Sequence, residues 1–195
     1  MLFRSALTRP TEDAYGVLAS DPGARLFRSL TWVFVSSLLA TIAFALVQIV
    51  SGSNMTETIR LLGWDPGSEG ESASSVYLLF VCLMPFLAIL ATLAITAYSS
   101  LVHLTARALG GQGTFIPLLH VMAAISAPIT LAIAVVGLVP IANLLSLPLG
   151  LYALFLQILA VKTVHQLAWP RAAVSTLLLV VVFFLIFRVS LVGIL

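Results

Sequence analysis

The chain has 195 residues, of which 61% are hydrophobic and only 8% charged, against about a quarter charged in a soluble domain. Such a composition excludes a water-clothed globular enzyme. The nine basic residues are scattered rather than interleaved with aromatics, so nucleic-acid binding has no patch to rest on. One cysteine, Cys82, sits inside an apolar run, which leaves no intrachain disulfide and reads as packing.

Residues 1–28 form a polar N-terminal segment. Pro10 with Glu12 and Asp13 marks a helix start, because proline suits the first turn and acids meet the positive end of the dipole. The predicted helix covers about Thr11–Ser20 and lies on the bilayer surface through Ala14, Val17 and Leu18, with Phe3 and Leu7 dipping into the same interface. A solvated tail is the alternative. Asp21-Pro22-Gly23 stops this helix. No cleavable signal is expected, since the first long apolar run begins only near Ser29, behind a polar segment too long for a signal n-region.

Residues 29–195 read as a membrane domain. The apolar runs are long enough for a hydrocarbon core about 30 Å thick and do not alternate as barrel strands would. The predicted spans are about Ser29–Val50, Val76–His103, Phe115–Val139, Ile141–Val164 and Ala172–Leu195. Between the first two lies an acidic, Gly- and Ser-rich loop, Ser51–Ser75, in which Trp64 suits the lipid interface and Asn54-Met55-Thr56 matches a glycosylation acceptor. Pro85 is expected to bend the second span, Pro128 the third and Pro148 the fourth, while Pro117 falls in a first turn. Pro140 and Asn143 make a short turn between the third and fourth. The expected fold is all-α, an integral membrane bundle of five transmembrane helices with a short N-terminal interfacial helix.

The cations orient it. Arg4, Arg9, Arg25, Arg28, Arg107, Lys162 and Arg171 fall on one side; Arg60 falls on the other, with Arg188 if it snorkels outward. Cationic residues collect on the cytoplasmic side, so the N-terminus is expected in the cytoplasm and the C-terminus outside.

No Asp or Glu follows Glu71, so spans two to five lack a carboxylate. Proton-coupled carriers, ion pumps and aspartyl intramembrane proteases rely on buried acids, and none is available. No catalytic set is arguable, and no cofactor is expected. His103, His120 and His165 all fall near the cytoplasmic leaflet. Three imidazoles are a conceivable zinc set, but their spacing is no metal motif, and separate interfacial histidines are the expected reading. The turn Gly110-Gly111-Gln112-Gly113-Thr114 offers bare backbone N–H groups beside Arg107 for a headgroup or partner. No Lys-Ser/Thr follows, so it is no nucleotide loop; a helix stop is the plainer reading. Arg188 is weighed the same way, as a headgroup or partner contact against a snorkelling side chain.

The run His103-Leu104-Thr105-Ala106-Arg107-Ala108-Leu109-Gly110-Gly111-Gln112-Gly113-Thr114-Phe115, followed by Ala127-Pro128, resembles the Yip-one domain family, the Ypt/Rab-interacting membrane proteins and their prokaryotic relatives. Val164-His165-Gln166-Leu167 with Arg171-Ala172 looks like the family's junction between fourth and fifth spans, and Arg9-Pro10 is similar to many prokaryotic members. The resemblance spans about residues 8–195. It implies a five-span bundle with a cytoplasmic N-terminus and no catalysis, in a prokaryotic cytoplasmic membrane, working through lipid, other membrane proteins or copies of itself. Asp13-Ala14-Tyr15-Gly16 only faintly echoes the family's trafficking motifs, so a GTPase partner is not implied. The expected role is a scaffold, accessory subunit or membrane organiser. The alternative is a transporter or channel for a lipid or small neutral solute, built around the helix-breaking prolines.

Overall fold

The computed structural model describes residues 10–50, 73–137 and 143–192, with side chains over 10–46, 81–137 and 144–182. Expectations about Phe3, Arg4, Leu7 and Arg9, about the acidic loop with Asn54, Arg60 and Trp64, about the Pro140 turn, and about the Arg188 side chain lie outside those residues. The described secondary structure is helical throughout: α1 (Glu12–Ala19), α2 (Leu26–Val50), α3 (Ala73–Ala108), α4 (Phe115–Val136), α5 (Asn143–His165) and α6 (Trp169–Val192). Four stretches are long and apolar enough to cross a bilayer, Leu26–Leu46, Val81–Ala108, Phe115–Val136 and Leu144–His165, and Trp169–Val182 is a shorter apolar helix.

The prolines fall where the sequence places them. Pro85, Pro128 and Pro148 lie inside α3, α4 and α5. The boundaries move modestly. α3 continues past His103 through Ala108 because Thr-Ala-Arg-Ala does not oppose a helix, and the chain breaks only at Gly110. α6 starts at Trp169, ahead of Ala172, with Pro170 in its first turn, where a fixed φ and a missing N–H cost nothing.

α4 is the pillar. Every residue from Leu118 to Ile125 is buried, as expected of a helix apolar all round and packed on several sides. Its C-terminal half opens instead, with Val135 exposed. Leu46, Phe86, Leu93, Leu144 and Leu151 also present bare apolar surface. So large an uncovered greasy surface suits lipid and not water. Three hydroxyls on α3 return to their own helix: Thr92, Thr96 and Ser100 each donate to the carbonyl four residues back, at 2.7–2.8 Å. That satisfies them without a partner span. Between spans, Tyr98 Oη donates to Gln157 Oε1 at 2.9 Å and Thr105 Oγ1 to the Ser175 carbonyl at 3.2 Å.

α1 packs onto the bundle through Tyr15 and Leu18. Thr11 caps it through its side chain, which accepts from Ala14 N–H at 3.3 Å. Tyr15 and Leu18 are fully buried among Val121, Ala124, Ile125, Leu156 and Leu159, whereas Val17 is half exposed. The helix turns its Tyr15–Leu18 side into the bundle, because α4 and α5 offer it a ready-made apolar seat.

Candidate functional site

At the end of the bundle that carries α1, two helix C-termini are locked together. The chain leaves α3 through Gly110 at φ 93°. Gly110 N–H reaches the Arg107 carbonyl at 3.0 Å and Gly111 N–H reaches the Ala106 carbonyl at 2.9 Å. These paired bonds satisfy the last carbonyls of a helix that ends on a left-handed residue. α5 stops the same way, with Gln166 at φ 55° in the glycine's role and Leu167 N–H on the Lys162 carbonyl at 3.1 Å. Gln112 N–H then donates to the His165 carbonyl at 3.2 Å, tying one end to the other.

Two glycines of the turn are set by close approach. A Cβ on Gly111 would stand 2.8 Å from the Ala106 carbonyl oxygen and 2.9 Å from His165 Cβ. One on Gly113 would stand 2.8 Å from the Val164 carbonyl carbon and 3.0 Å from His165 Nδ1. Only a residue without a side chain admits the α5 backbone so near. The His165 ring meets His103 from α3, Nε2 to Nδ1 at 3.3 Å, and Phe115 packs edge-on against His103 at 5.8 Å. His165 is 1% exposed, and its Nδ1 has no hydrogen-bond partner among the described residues. Arg107 and Arg171 stand exposed at the rim. The Arg171 guanidinium lies 3.8 Å from where a Gly110 Cβ would be.

A cavity of about 470 Å³ opens between α1, the turn and the α5 terminus, lined among others by Gly16, Ser20, Gln112, Thr114, Thr163 and Gln166. Its lining mixes polar and apolar surface. α1 is held over it by the Tyr15–Leu18 seat and by an ion pair from Lys162 Nζ to Glu12 Oε1. Lys162 also lies 4.8 Å from the Trp169 ring centroid. Burial, and secondarily the neighbouring Tyr152, push the Tyr15 hydroxyl above its usual range.

The sequence-predicted residues therefore divide. His103, Arg107, Gly110, Gly111, Gln112, Gly113 and His165 gather at one end, while Arg188 has no described side chain. His120 stands apart. It is 0% exposed on α4, with Nδ1 at 3.0 Å from Ser29 Oγ, Nε2 at 3.9 Å from Asp21 Oδ2, and its ring 4.9 Å from Trp32. Among the described residues no three potential metal ligands come together. The histidines fail to converge because His103 and His165 sit on the helix ends flanking the turn, whereas His120 lies on the α4 face turned to α2.

Sequence reasoning missed the meeting of Ser29, His120 and Asp21. It is not a nucleophilic set. Ser29 is 1% exposed and donates to the Arg25 carbonyl at 3.1 Å. With its single proton committed there, the hydroxyl accepts from His120 Nδ1–H, and the imidazole cannot serve as its base. Asp21 is held in an Asx turn by Gly23 N–H at 2.8 Å and faces Arg28 Nη1 at 3.6 Å. The Ser29–His120 bond works as a buckle between α2 and α4, and Asp21 stands beside it without a hydrogen bond to the ring. Asp21-Pro22-Gly23 was legible as a helix stop, but nothing local announces a partner 99 positions away. Gln166 was likewise invisible, because the left-handed conformation falls on a residue that does not advertise it.

A family model described as the Yip1 domain matches residues 5–190. No curated protein and no solved structure matches the chain.

Proposed function

The chain belongs to the Yip1 domain family, and from that premise we propose that it is a non-catalytic membrane organiser, a scaffold or accessory subunit. On this reading its five helices cross the bilayer, with the N-terminus and the Gly110–Gly113 turn in the cytoplasm and the C-terminus outside. The observation that carries the reading is the docked end of the bundle. There α1, the glycine turn and the α5–α6 junction form one surface around a mixed cavity, rimmed by Arg107 and Arg171. Neither arginine has an ion-pair partner among the described residues. Guanidiniums without an ion-pair partner favour an anionic partner surface or headgroup. The absence of carboxylates after Glu71 fits the same reading, since nothing there supplies acid–base chemistry.

The test is cross-linking in native membranes followed by recovery in mild detergent. The wild-type chain is expected to bring down a membrane protein or a second copy of itself, and an Arg107→Glu/Arg171→Glu variant to lose it. Recovery of no partner by the wild type sinks the reading.

The second reading is passage of a lipid or small neutral solute. The helix-interior prolines at 85, 128 and 148 favour it, because each removes a backbone hydrogen bond within the membrane. Flux of a labelled phospholipid or neutral solute across proteoliposomes, absent from empty liposomes, would move the choice to it.

A further inference from the structure

Two helix faces meet to make an amphipathic slot that runs on from the buckle and is separate from the glycine turn. On α2, Arg28, Trp32, Val35 and Leu39 recur at intervals of four, three and four, so they stripe one face. On α4, His120, Ala124, Ala127 and Leu131 do the same, at intervals of four, three and four. α2 packs along α4 more extensively than any other described pair of helices. Both stripes are polar at their N-terminal ends and apolar beyond. Between them runs an open groove of about 420 Å³ with almost no polar lining, within the size range of small-molecule sites, about 300–1,000 Å³.

The groove exists because alanines at 124 and 127 set the α4 surface back, while Trp32, Leu39 and Leu131 stand as its walls. Val35 and Leu39 remain 46% and 47% exposed along it. In a bilayer such a slot cannot hold water and is filled by hydrocarbon. Its head is cationic. The Arg28 guanidinium lies 4.7 Å from the Trp32 ring centroid, and Arg25 stands exposed one turn earlier. Asp21 is the opposing charge, but its carboxylate is already engaged. One oxygen takes Gly23 N–H and the other faces Arg28 Nη1 at 3.6 Å. Arg28 Nη1 also donates to the Gly23 carbonyl at 3.4 Å, and the other guanidinium nitrogens make no hydrogen bond among the described residues.

We propose that this slot is a binding site for one anionic glycerophospholipid, with an acyl chain along Trp32–Leu39 and Ala124–Leu131 and the phosphate on Arg28 and Arg25. The occupant is a lipid of the surrounding bilayer, because the groove opens sideways onto the apolar surface and carries cations only at its interfacial end. A basic head joined to a greasy slot matches an anionic headgroup joined to hydrocarbon. The site requires only that the bundle sits in a membrane, not that it recruits a protein partner.

The experiment uses the full chain, delipidated and re-supplied with phosphatidylglycerol or phosphatidylcholine, and counts retained lipid by native mass spectrometry. Wild type is expected to retain one phosphatidylglycerol in preference to phosphatidylcholine. Arg28→Gln should reduce that preference by about tenfold, the worth of one charge-assisted contact. Ala127→Trp, which fills the slot, should abolish retention of both lipids, while Leu93→Trp on another lipid-facing surface should leave it unchanged. In parallel, a phosphatidylglycerol with a photoreactive acyl chain is added to the unaltered protein. This arm needs no variant to fold, and its cross-links should fall on Val35, Leu39 and Leu131. Retention by Ala127→Trp equal to wild type, a preference untouched by Arg28→Gln, or cross-links spread evenly over the bundle would each overturn the site. So would cross-links from the slot to another polypeptide, which would make it a protein interface. Membrane integration, read separately by resistance to alkaline extraction, keeps a failure of this site distinct from a failure of the membrane reading.

Discussion

Gly113 carries the tightest constraint in the turn, and Gly110 a different one. At Gly113 a methyl group would meet the Val164 carbonyl, which belongs to the backbone of α5 and cannot move aside. At Gly110 there is room, with Arg171 Nη1 3.8 Å away, but φ is 93°. Gly110→Ala is therefore expected to cost about 1–2 kcal/mol, the strain of a left-handed L-residue. Gly113→Ala should cost more, up to about 3 kcal/mol as overpacking, and should also loosen the His103–His165 contact. Thermal unfolding of the two variants in one detergent orders them; equal losses would refute the backbone-clash argument. Tyr15 yields a pH prediction. Its folded pKa is raised above the unfolded value of about 10, so its contribution is complete below about pH 10 and is lost as pH climbs through the folded value. Phenolate absorbance should show a late-ionising tyrosine signal that shrinks in Tyr15→Phe.

At the scale of elements, α1 is a cap seated on α4 and α5, and its attachment is mostly apolar. The Glu12–Lys162 pair joins side chains that are 54% and 17% exposed, and such a pair is worth no more than about 1 kcal/mol. Tyr15 and Leu18 are buried to within 1%, and truncating a buried leucine costs about 2–5 kcal/mol. Limited proteolysis near Asp21 should therefore accelerate strongly in Leu18→Ala and only slightly in Glu12→Gln, with the latter effect vanishing at high salt. A Glu12→Gln variant cleaved as fast as Leu18→Ala would mean that charge, not packing, holds the cap. The Ser29–His120 buckle ties the start of α2 to α4 just beyond the same linker. His120→Phe should leave α1 seated but loosen the start of α2 against α4, while Ser29 keeps its bond to the Arg25 carbonyl.

At the scale of the molecule, the predicted arrangement is odd in its number of crossings, so its two ends must face opposite compartments. Single cysteines placed near Gln112 and near Leu195, in a chain with Cys82 replaced, should react with an impermeant maleimide from opposite sides of sealed vesicles. Labelling of both from one side would break the five-crossing arrangement and the cytoplasmic assignment of the turn together. The charge pattern makes this prediction sharp, because the cations that set it, Arg25, Arg28, Arg107, Lys162 and Arg171, all lie at span ends.

Composition and run length determined that this is a helical membrane protein, because each span must be apolar over its whole length whatever it packs against. The glycine turn and the helix-interior prolines were equally legible, since their signals are local. Which residues meet was not. The seat of Tyr15, the Gly113–Val164 approach, the left-handed Gln166 and the Ser29–His120 buckle are contacts across 51 or more positions or conformations imposed from outside the residue. A membrane helix is greasy on its buried and its lipid-facing sides alike, so the sequence carries no amphipathic stripe to say which face turns inward. Only the assembled bundle decides that.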